Sequence, residues 1–202
     1  IGKQYPQGSR ILFLEFSPDG KSLAYTVEKT DPTDWSKKEE YLVVNGKEYW
    51  PWAWVSANFK ISNNNIFVYQ ATDTYGNRHL IKNDTYLQTV INTYRADNPL
   101  LQDQHMPSES PKMDLTFWMQ NKSLQINPLN GKVFYIFSKI IQTNPTKWMS
   151  IVNYDGAPQT YYGFVNLANW GKGIFSPDGR HLVYSYRDDT SWKTSLVIDG
   201  KE

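Results

Sequence analysis

The sequence predicts an all-β chain of four-stranded antiparallel meanders, and three observations predict it. Aromatic residues fill 15% of the 202 positions, as 14 Tyr, 9 Phe and 8 Trp, a bias toward side chains that suit a pleated surface. Phe16-Ser17-Pro18-Asp19-Gly20-Lys21-Ser22-Leu23-Ala24-Tyr25 returns in register as Phe175-Ser176-Pro177-Asp178-Gly179-Arg180-His181-Leu182-Val183-Tyr184. Apolar triplets run into Asn-Gly or Asp-Gly at Leu42-Val43-Val44-Asn45-Gly46 and Leu196-Val197-Ile198-Asp199-Gly200. These dipeptides favour two-residue hairpins, because both central positions of such a turn need positive φ.

The elements of the first unit follow in order. An apolar strand over 11–17 meets a Pro-Asp-Gly turn, a second strand covers 22–28, a loop leads to a third over 41–45, and a last strand fills 47–52. Two worn copies of the motif stand between the clear ones, at Ile61-Ser62-Asn63-Asn64-Asn65-Ile66-Phe67-Val68-Tyr69 and Ile126-Asn127-Pro128-Leu129-Asn130-Gly131-Lys132-Val133-Phe134-Tyr135. The copies begin at 16, 61, 126 and 175, so the spacing is about 45 to 50 residues with one longer middle step. A four-strand unit of that length is the signature of a β-propeller blade, whose faces are buried only by its neighbours.

The expected blades span 9–52, 56–96, 115–163 and 165–202 of a single β-propeller domain or propeller fragment, about four repeats of a larger propeller. Residues 97–114, with Pro99, Pro107 and Pro111, read as a surface insertion. Residues 85–96 are ambiguous between strand and short helix. Residues 1–8 resemble the fourth strand of a blade, so they are a leftover or a closing strand for the last unit.

At these residues the chain resembles a known family. The Phe-Ser-Pro-Asp-Gly-Lys/Arg-x-Leu-x-Tyr element followed by Val-Val-Asn-Gly-Lys-Glu looks like the WD-repeat-like β-propeller repeats of the TolB type, common in bacteria. The likeness is strong in copies one and four and weak in two and three. It implies a propeller fold and a setting in the bacterial cell envelope, periplasm or cell surface. It implies little about chemistry, since one fold hosts many functions.

Composition narrows the function classes. With 40% apolar and 20% charged residues the chain has the balance of one globular domain. A net charge of +1 lacks the one-sided balance that suits nucleic acid. No apolar run reaches the roughly 18 residues of a membrane span, so no transmembrane segment is expected. The absence of cysteine rules out disulfides, thiolate metal sites and cysteine nucleophiles.

The candidate residues each have a bland reading beside the functional one. Asp19 and Asp178 suit turn hydrogen bonding better than a cation. Trp35, Trp148 and Trp192 precede Asn/Asp turns at similar intervals, as packing elements would. Trp50-Pro51-Trp52-Ala53-Trp54 alternates indoles at period two, which places all three on one face of an extended segment. Exposed, that face is a ligand-binding platform for a sugar ring or peptide; buried, it is a wedge between blades. Glu39-Glu40 and Asp188-Asp189 read as solvated charge. His79, His105 and His181 are scattered among unlike contexts, and no metal-ligand spacing or serine elbow is present. Asn83-Asp84-Thr85 and Asn121-Lys122-Ser123 fit a glycosylation acceptor pattern that a bacterial setting leaves idle.

The expectation is therefore a non-enzymatic β-propeller scaffold that binds protein or peptide partners on its loop-bearing faces, with no cofactor, no metal and no catalytic set. Two alternatives remain: a carbohydrate-binding surface propeller taking a polysaccharide at Trp50, Trp52 and Trp54, and the propeller accessory domain of a larger peptidase-like enzyme.

Overall fold

The computed structural model describes residues 4–90, 112–113, 118–119, 123–166 and 175–201. Among these the protein is all-β, with strands and turns and no helix, so no helix there is long and apolar enough to cross a membrane. The chain divides into two compact units, Ile1–Asp114 and Leu115–Glu202.

In the first unit, β1 (Arg10–Phe16), β2 (Leu23–Thr30), β3 (Lys38–Val44) and β4 (Lys47–Trp52) pair in chain order as a four-stranded antiparallel meander. A second sheet is made of β5 (Trp54–Val55), β6 (Lys60–Ile61), β7 (Phe67–Thr72), β8 (Arg78–Lys82), β9 (Thr85–Val90) and β10 (Lys112–Met113). Its order is β10-β9-β8-β7-β5 with β6 also on β7, and only β10 runs parallel to its neighbour. The ambiguous stretch thus begins as strand β9, because Leu80↔Gln88 and Ile81↔Tyr86 pairing fixes it to β8; residues 91–96 lie outside the described residues. So does the expected insertion 97–114, apart from Lys112–Met113. Residues 4–9 form a turn closed by the Ser9 N–H on the Pro6 carbonyl at 3.1 Å, not a strand.

The second unit holds β11 (Trp118–Met119), β12 (Gln125–Ile126), β13 (Val133–Thr143), β14 (Thr146–Tyr154) and β15 (Ala157–Tyr161) as a third sheet, and β16 (Gly163–Asn166), β17 (Val183–Asp188) and β18 (Thr194–Ile198) as a fourth. All pairs in these two sheets are antiparallel.

Two backbone hydrogen bonds recur in each sheet. Ser17, Ser62, Asn127 and Ser176 donate their N–H to the carbonyls of Ser22, Ile66, Lys132 and His181, at 2.8 to 2.9 Å, and so close the turn before the second strand. Asn45, Asn83, Asp155 and Asp199 donate to Leu23, Phe67, Val133 and Leu182 at 2.7 to 2.9 Å. These four hairpin residues have φ of 49°, 53°, 51° and 51°, a left-handed conformation that Asn and Asp tolerate best among residues with a side chain. The side-chain oxygens of Asn45, Asn83 and Asp199 then accept the N–H of Leu23, Phe67 and Leu182 at 2.9, 3.1 and 2.8 Å. One short polar side chain thus serves both the turn and the start of the adjoining strand.

Within each unit the sheets pack face to face. Ala24, Leu42 and Val44 of the first sheet are buried against Val55, Phe59, Ile61, Phe67 and Tyr69 of the second. Phe134, Ile136 and Val152 of the third are buried against Val165, Leu182, Tyr184, Tyr186 and Val197 of the fourth. Each Val, Leu, Ile or Phe so removed from water contributes about 1.5–3 kcal/mol.

The shared turn predicts a contrast. Gly20 and Gly179 have φ of 72° and 66°, but a Cβ at Gly20 meets open space while one at Gly179 comes within 2.8 Å of Asn127 Oδ1. Asn127 Nδ2 also donates to the Gly179 carbonyl at 2.6 Å. Gly20→Ala should cost the left-handed backbone penalty of about 1–2 kcal/mol, and Gly179→Ala at least about 1 kcal/mol more through loss of that hydrogen bond. Urea midpoints of the two variants measure the difference.

Candidate functional site

Strand β4 sets the geometry of the tryptophan cluster. Tyr49 pairs with Leu42 and Trp52 with Glu40, so Trp50 and Pro51 together face the single residue Tyr41. This is a β-bulge, and it inverts the alternation of side chains beyond it. Trp50 takes φ of 25° there. After Trp52 the chain leaves the first sheet, and the Ala53 N–H donates to the Thr72 carbonyl of the second at 3.0 Å. The three indoles therefore do not share a face as their spacing predicts. Trp50 and Trp54 are 55% and 45% exposed, while Trp52 is 6% exposed in the core between the first and second sheets. Trp52 is the wedge of the bland reading; Trp50 and Trp54 remain at the surface, apart from it.

Trp50 lines a shallow open depression with Pro51, Tyr41, Lys47, Glu48, Tyr49 and Asp84. Rings and both signs of charge meet here. Lys47 Nζ lies 4.4 Å from the Tyr49 ring centroid and Lys29 Nζ lies 4.2 Å from that of Tyr41, both within cation–π range. Lys29 also pairs with Glu48 at 2.7 Å. Lys47 and Asp84 approach at 3.9 Å with both side chains mostly exposed, a contact of little energetic worth. The Tyr41 hydroxyl donates to Glu39 at 2.6 Å, and burial followed by that bond pushes its pKa up. Tyr41 is thus a hydrogen-bonding and stacking group, not an acid at neutral pH.

The other indoles correct the packing expectation. Trp35 and Trp192 are 72% and 63% exposed; Trp192 carries the Arg187 guanidinium at 5.2 Å from its ring. Trp148 alone of the three packs as expected, edge-on to Phe164 at 5.3 Å.

Two paired carboxylates also depart from the solvated reading. Glu40 is buried and accepts the Val55 N–H at 2.8 Å, linking the first sheet to the second. Asp189 is buried and accepts the Trp148 N–H at 2.5 Å, linking the fourth sheet to the third. Charge beside a lysine looks solvated in one dimension, but here each carboxylate serves a backbone donor left open where one sheet abuts the next. Glu39 and Asp188 are the exposed members. Asp188 is held down to about 2 by the backbone N–H of Ser191 and then by side-chain and Tyr186 hydrogen bonds.

A constellation that sequence spacing missed lies in the second sheet. His79 Nε2 is 3.1 Å from Asp73 Oδ2 and His79 Nδ1 is 3.2 Å from Thr89 Oγ1. Asp73 further accepts Asn77 Nδ2 at 2.8 Å and the N–H groups of Tyr75 and Asn77 at 2.9 Å. Burial raises the Asp73 pKa, yet the bonds from His79 and Asn77 outweigh it and hold it below the usual carboxylate value. The order carboxylate–imidazole–hydroxyl is that of a proton relay, but Asp73, His79 and Thr89 are 5%, 1% and 0% exposed. Trp52 and Tyr86 rings lie 5.5 and 5.2 Å from the imidazole. A substrate has no access to this hydroxyl, so the network ties β8 and β9 to the turn before them. Its members come from a turn and two strands, which is why no short motif announces it.

The other placed histidine, His181, is exposed and bonds Asp199 Oδ2 at 2.8 Å through Nδ1; that hydrogen bond raises its pKa. Asp19 and Asp178 accept the hydroxyls of Ser17 and Ser176 at 2.7 and 2.5 Å and the N–H of Lys21 and Arg180, which is turn chemistry. His105 and Asn121 lie outside the described residues. Among the described residues no three His, Asp or Glu side chains group as metal ligands.

What fold and site define together is an all-β protein of meander sheets with an aromatic, mixed-charge depression on one sheet. No protein-family model matches the chain, and no curated protein matches it.

Burial raises the pKa of Glu40, with the Val55 N–H opposing, and a testable pH dependence follows. A carboxyl whose folded pKa lies above its unfolded one holds its proton longer in the folded state, so stability falls as pH rises through that interval. Glu40→Gln keeps an acceptor for Val55 and cannot ionise. Urea unfolding from about pH 4 to pH 7 should show the variant gaining on the native chain as pH rises; a constant difference contradicts this.

Proposed function

We propose that the chain is a non-enzymatic scaffold of propeller-type blades that binds an extended protein or peptide segment at the Tyr41–Tyr49–Trp50 depression. The observation that carries the reading is that depression: the exposed ring of Trp50 beside the half-buried rings of Tyr41 and Tyr49, flanked by Lys47, Glu48 and Asp84. Rigid aromatic side chains with charge of both signs suit a peptide, whose side chains alternate in character and whose backbone can be hydrogen-bonded. The bulge at Trp50 and the missing N–H of Pro51 disfavour addition of a further strand to β4, so recognition falls to side chains.

Blade architecture is supported by the two hydrogen bonds that recur in all four sheets and by the face-to-face packing inside each unit. The TolB-type resemblance adds an envelope or cell-surface setting to the proposal. The non-enzymatic part is supported by the commitment of Asp73, His79 and Thr89 to a closed network.

Carbohydrate binding is a second reading, favoured by the exposed ring of Trp50 beside Tyr49, since a flat indole also stacks on a sugar. A displayed peptide library panned on the native chain should yield binders whose affinity falls at least about tenfold in Trp50→Ala, the loss of a hot-spot ring. A parallel titration of tryptophan fluorescence with polysaccharides tests the sugar reading. Peptide binders indifferent to Trp50→Ala, or none at all, would sink the proposal.

A further inference from the structure

Each unit stacks one sheet on the next, and the two interfaces correspond position by position because their hairpins share a register. In the first unit Val44 pairs with Lys47 and Leu42 with Tyr49. In the second, Tyr154 pairs with Ala157 and Val152 with Gln159. On the facing sheet, Phe67 follows the turn carbonyl of Ile66 and accepts the Asn83 N–H, while Leu182 follows that of His181 and accepts the Asp199 N–H. Phe67, Tyr69 and Asn83 therefore match Leu182, Tyr184 and Asp199.

Rings fill the first interface. Tyr49 meets Phe67 at 4.7 Å between centroids and 60°, with Leu42 in the same core. In the second unit Gln159 stands for Tyr49, Leu182 for Phe67, Val152 for Leu42 and Ala157 for Lys47, and all four are smaller. Tyr154 is larger than the Val44 it matches, and its ring stands against Phe175 at 6.1 Å. A cavity of about 170 Å³ is left between the third and fourth sheets, with Val152, Tyr154, Gln159, Leu182, Tyr184 and Asp199 in its lining. Val152, Leu182 and Tyr184 are 2%, 2% and 1% exposed. An apolar cavity of about 150 Å³ holds one benzene ring, so this one has room for a ring with a short substituent.

The polar atoms of the lining divide into committed and open ones. Gln159 Oε1 accepts the Tyr161 and Tyr184 hydroxyls at 3.1 and 3.0 Å, and Nε2 donates to the Gly200 carbonyl at 3.2 Å. That side chain is a wall tying the third sheet to the fourth. Asp199 Oδ2 bonds His181 Nδ1 and Oδ1 accepts the Leu182 N–H, both at 2.8 Å. These bonds hold its pKa below the usual carboxylate value. A carboxylate offers about four lone-pair sites, so Asp199 keeps acceptor capacity, and its side chain is 44% exposed. The charges of Asp155 and Asp199 both bear on Tyr154, which favours a cation beside that ring. Lys132 takes one such position, with Nζ 5.4 Å from the centroid.

We propose that this cavity binds a small ring-bearing amine, its ring among Val152, Leu182 and Tyr184 and its ammonium on Asp199. The first unit lacks both requirements, since Tyr49 and Phe67 occupy the place of the ring and Asn83 carries no charge. This inference goes beyond peptide binding at Trp50 and does not rest on it, since the cavity belongs to the other unit.

Methyl carbon-13 spectra of the full 202-residue chain, titrated with benzylamine and separately with benzoate, test it. Benzylamine should shift the Val152, Ala157 and Leu182 methyl signals saturably, and benzoate should leave them in place. Asp199→Asn installs the residue that Asn45 and Asn83 supply in the same turn and keeps an acceptor for the Leu182 N–H. It should weaken benzylamine at least about tenfold, as expected for a hydrogen bond to a charged group. Leu182→Phe copies the Phe67 position, fills the cavity and should abolish the shifts at Val152 and Ala157. Absence of saturable shifts, equal binding of benzoate, or native affinity in either variant would overturn the proposal. If Leu182→Phe unfolds by circular dichroism, the benzoate and Asp199→Asn comparisons still decide.

Discussion

Apolar side chains on both faces of a thin antiparallel sheet are the constraint on which this structure depends. A sheet with one wet face can stand alone on its core, but the first, second and fourth sheets all carry Val, Leu, Tyr or Phe above and below. Within each unit the chain meets the constraint by stacking. Ala24, Leu42 and Val44 cover Phe67 and Tyr69, and Phe134, Ile136 and Val152 cover Leu182 and Tyr184. Buried polar groups follow from the same layering. Glu40 and Asp189 serve backbone N–H groups where two sheets abut, and the short side chains of Asn45, Asn83 and Asp199 accept the N–H at the start of the adjoining strand.

The candidate site arises as a local exception to regular pleating. A straight β4 would carry Trp50 and Trp52 on one side. The bulge at Trp50 and Pro51 sends Trp52 into the core, where it meets Tyr69, His79 and Tyr86, and leaves Trp50 at the surface. One irregularity both anchors the first sheet on the second and exposes the ring used for recognition. Bulges re-aim side chains in this way at the cost of ladder hydrogen bonds, and β4 stands last in the order of the first sheet, where fewer ladder bonds depend on it.

Much of the fold was legible because its signals are local. Phe16 to Tyr25 and Phe175 to Tyr184 specify a strand, a Ser-Pro-Asp-Gly turn and a second strand within ten residues each, and Asn45-Gly46 and Asp199-Gly200 name their hairpins through positive φ. The tryptophan cluster was legible only in part: alternation assumes a continuous pleat, and neither the bulge nor the change of sheet after Trp52 has a short-range signature beyond Pro51. Glu40, Asp189 and the Asp73–His79–Thr89 network were not legible. Their roles depend on groups brought close by stacking or by pairing across two strands, as with Asp189 and the Trp148 N–H. Trp35 and Trp192 show the converse, since similar spacing before a turn does not make a side chain buried.

Within each unit the sheets pack face to face through a fourth-strand ring set against a second-strand tyrosine. Nuclear Overhauser contacts between the Trp52 indole and the Tyr69 ring, and between the Tyr161 and Tyr184 rings, measure this packing directly. Ring-to-ring cross-peaks are expected for both pairs, whose centroids are 6.4 and 6.0 Å apart. Indole and tyrosine signals that show contacts only within their own sheets would contradict it.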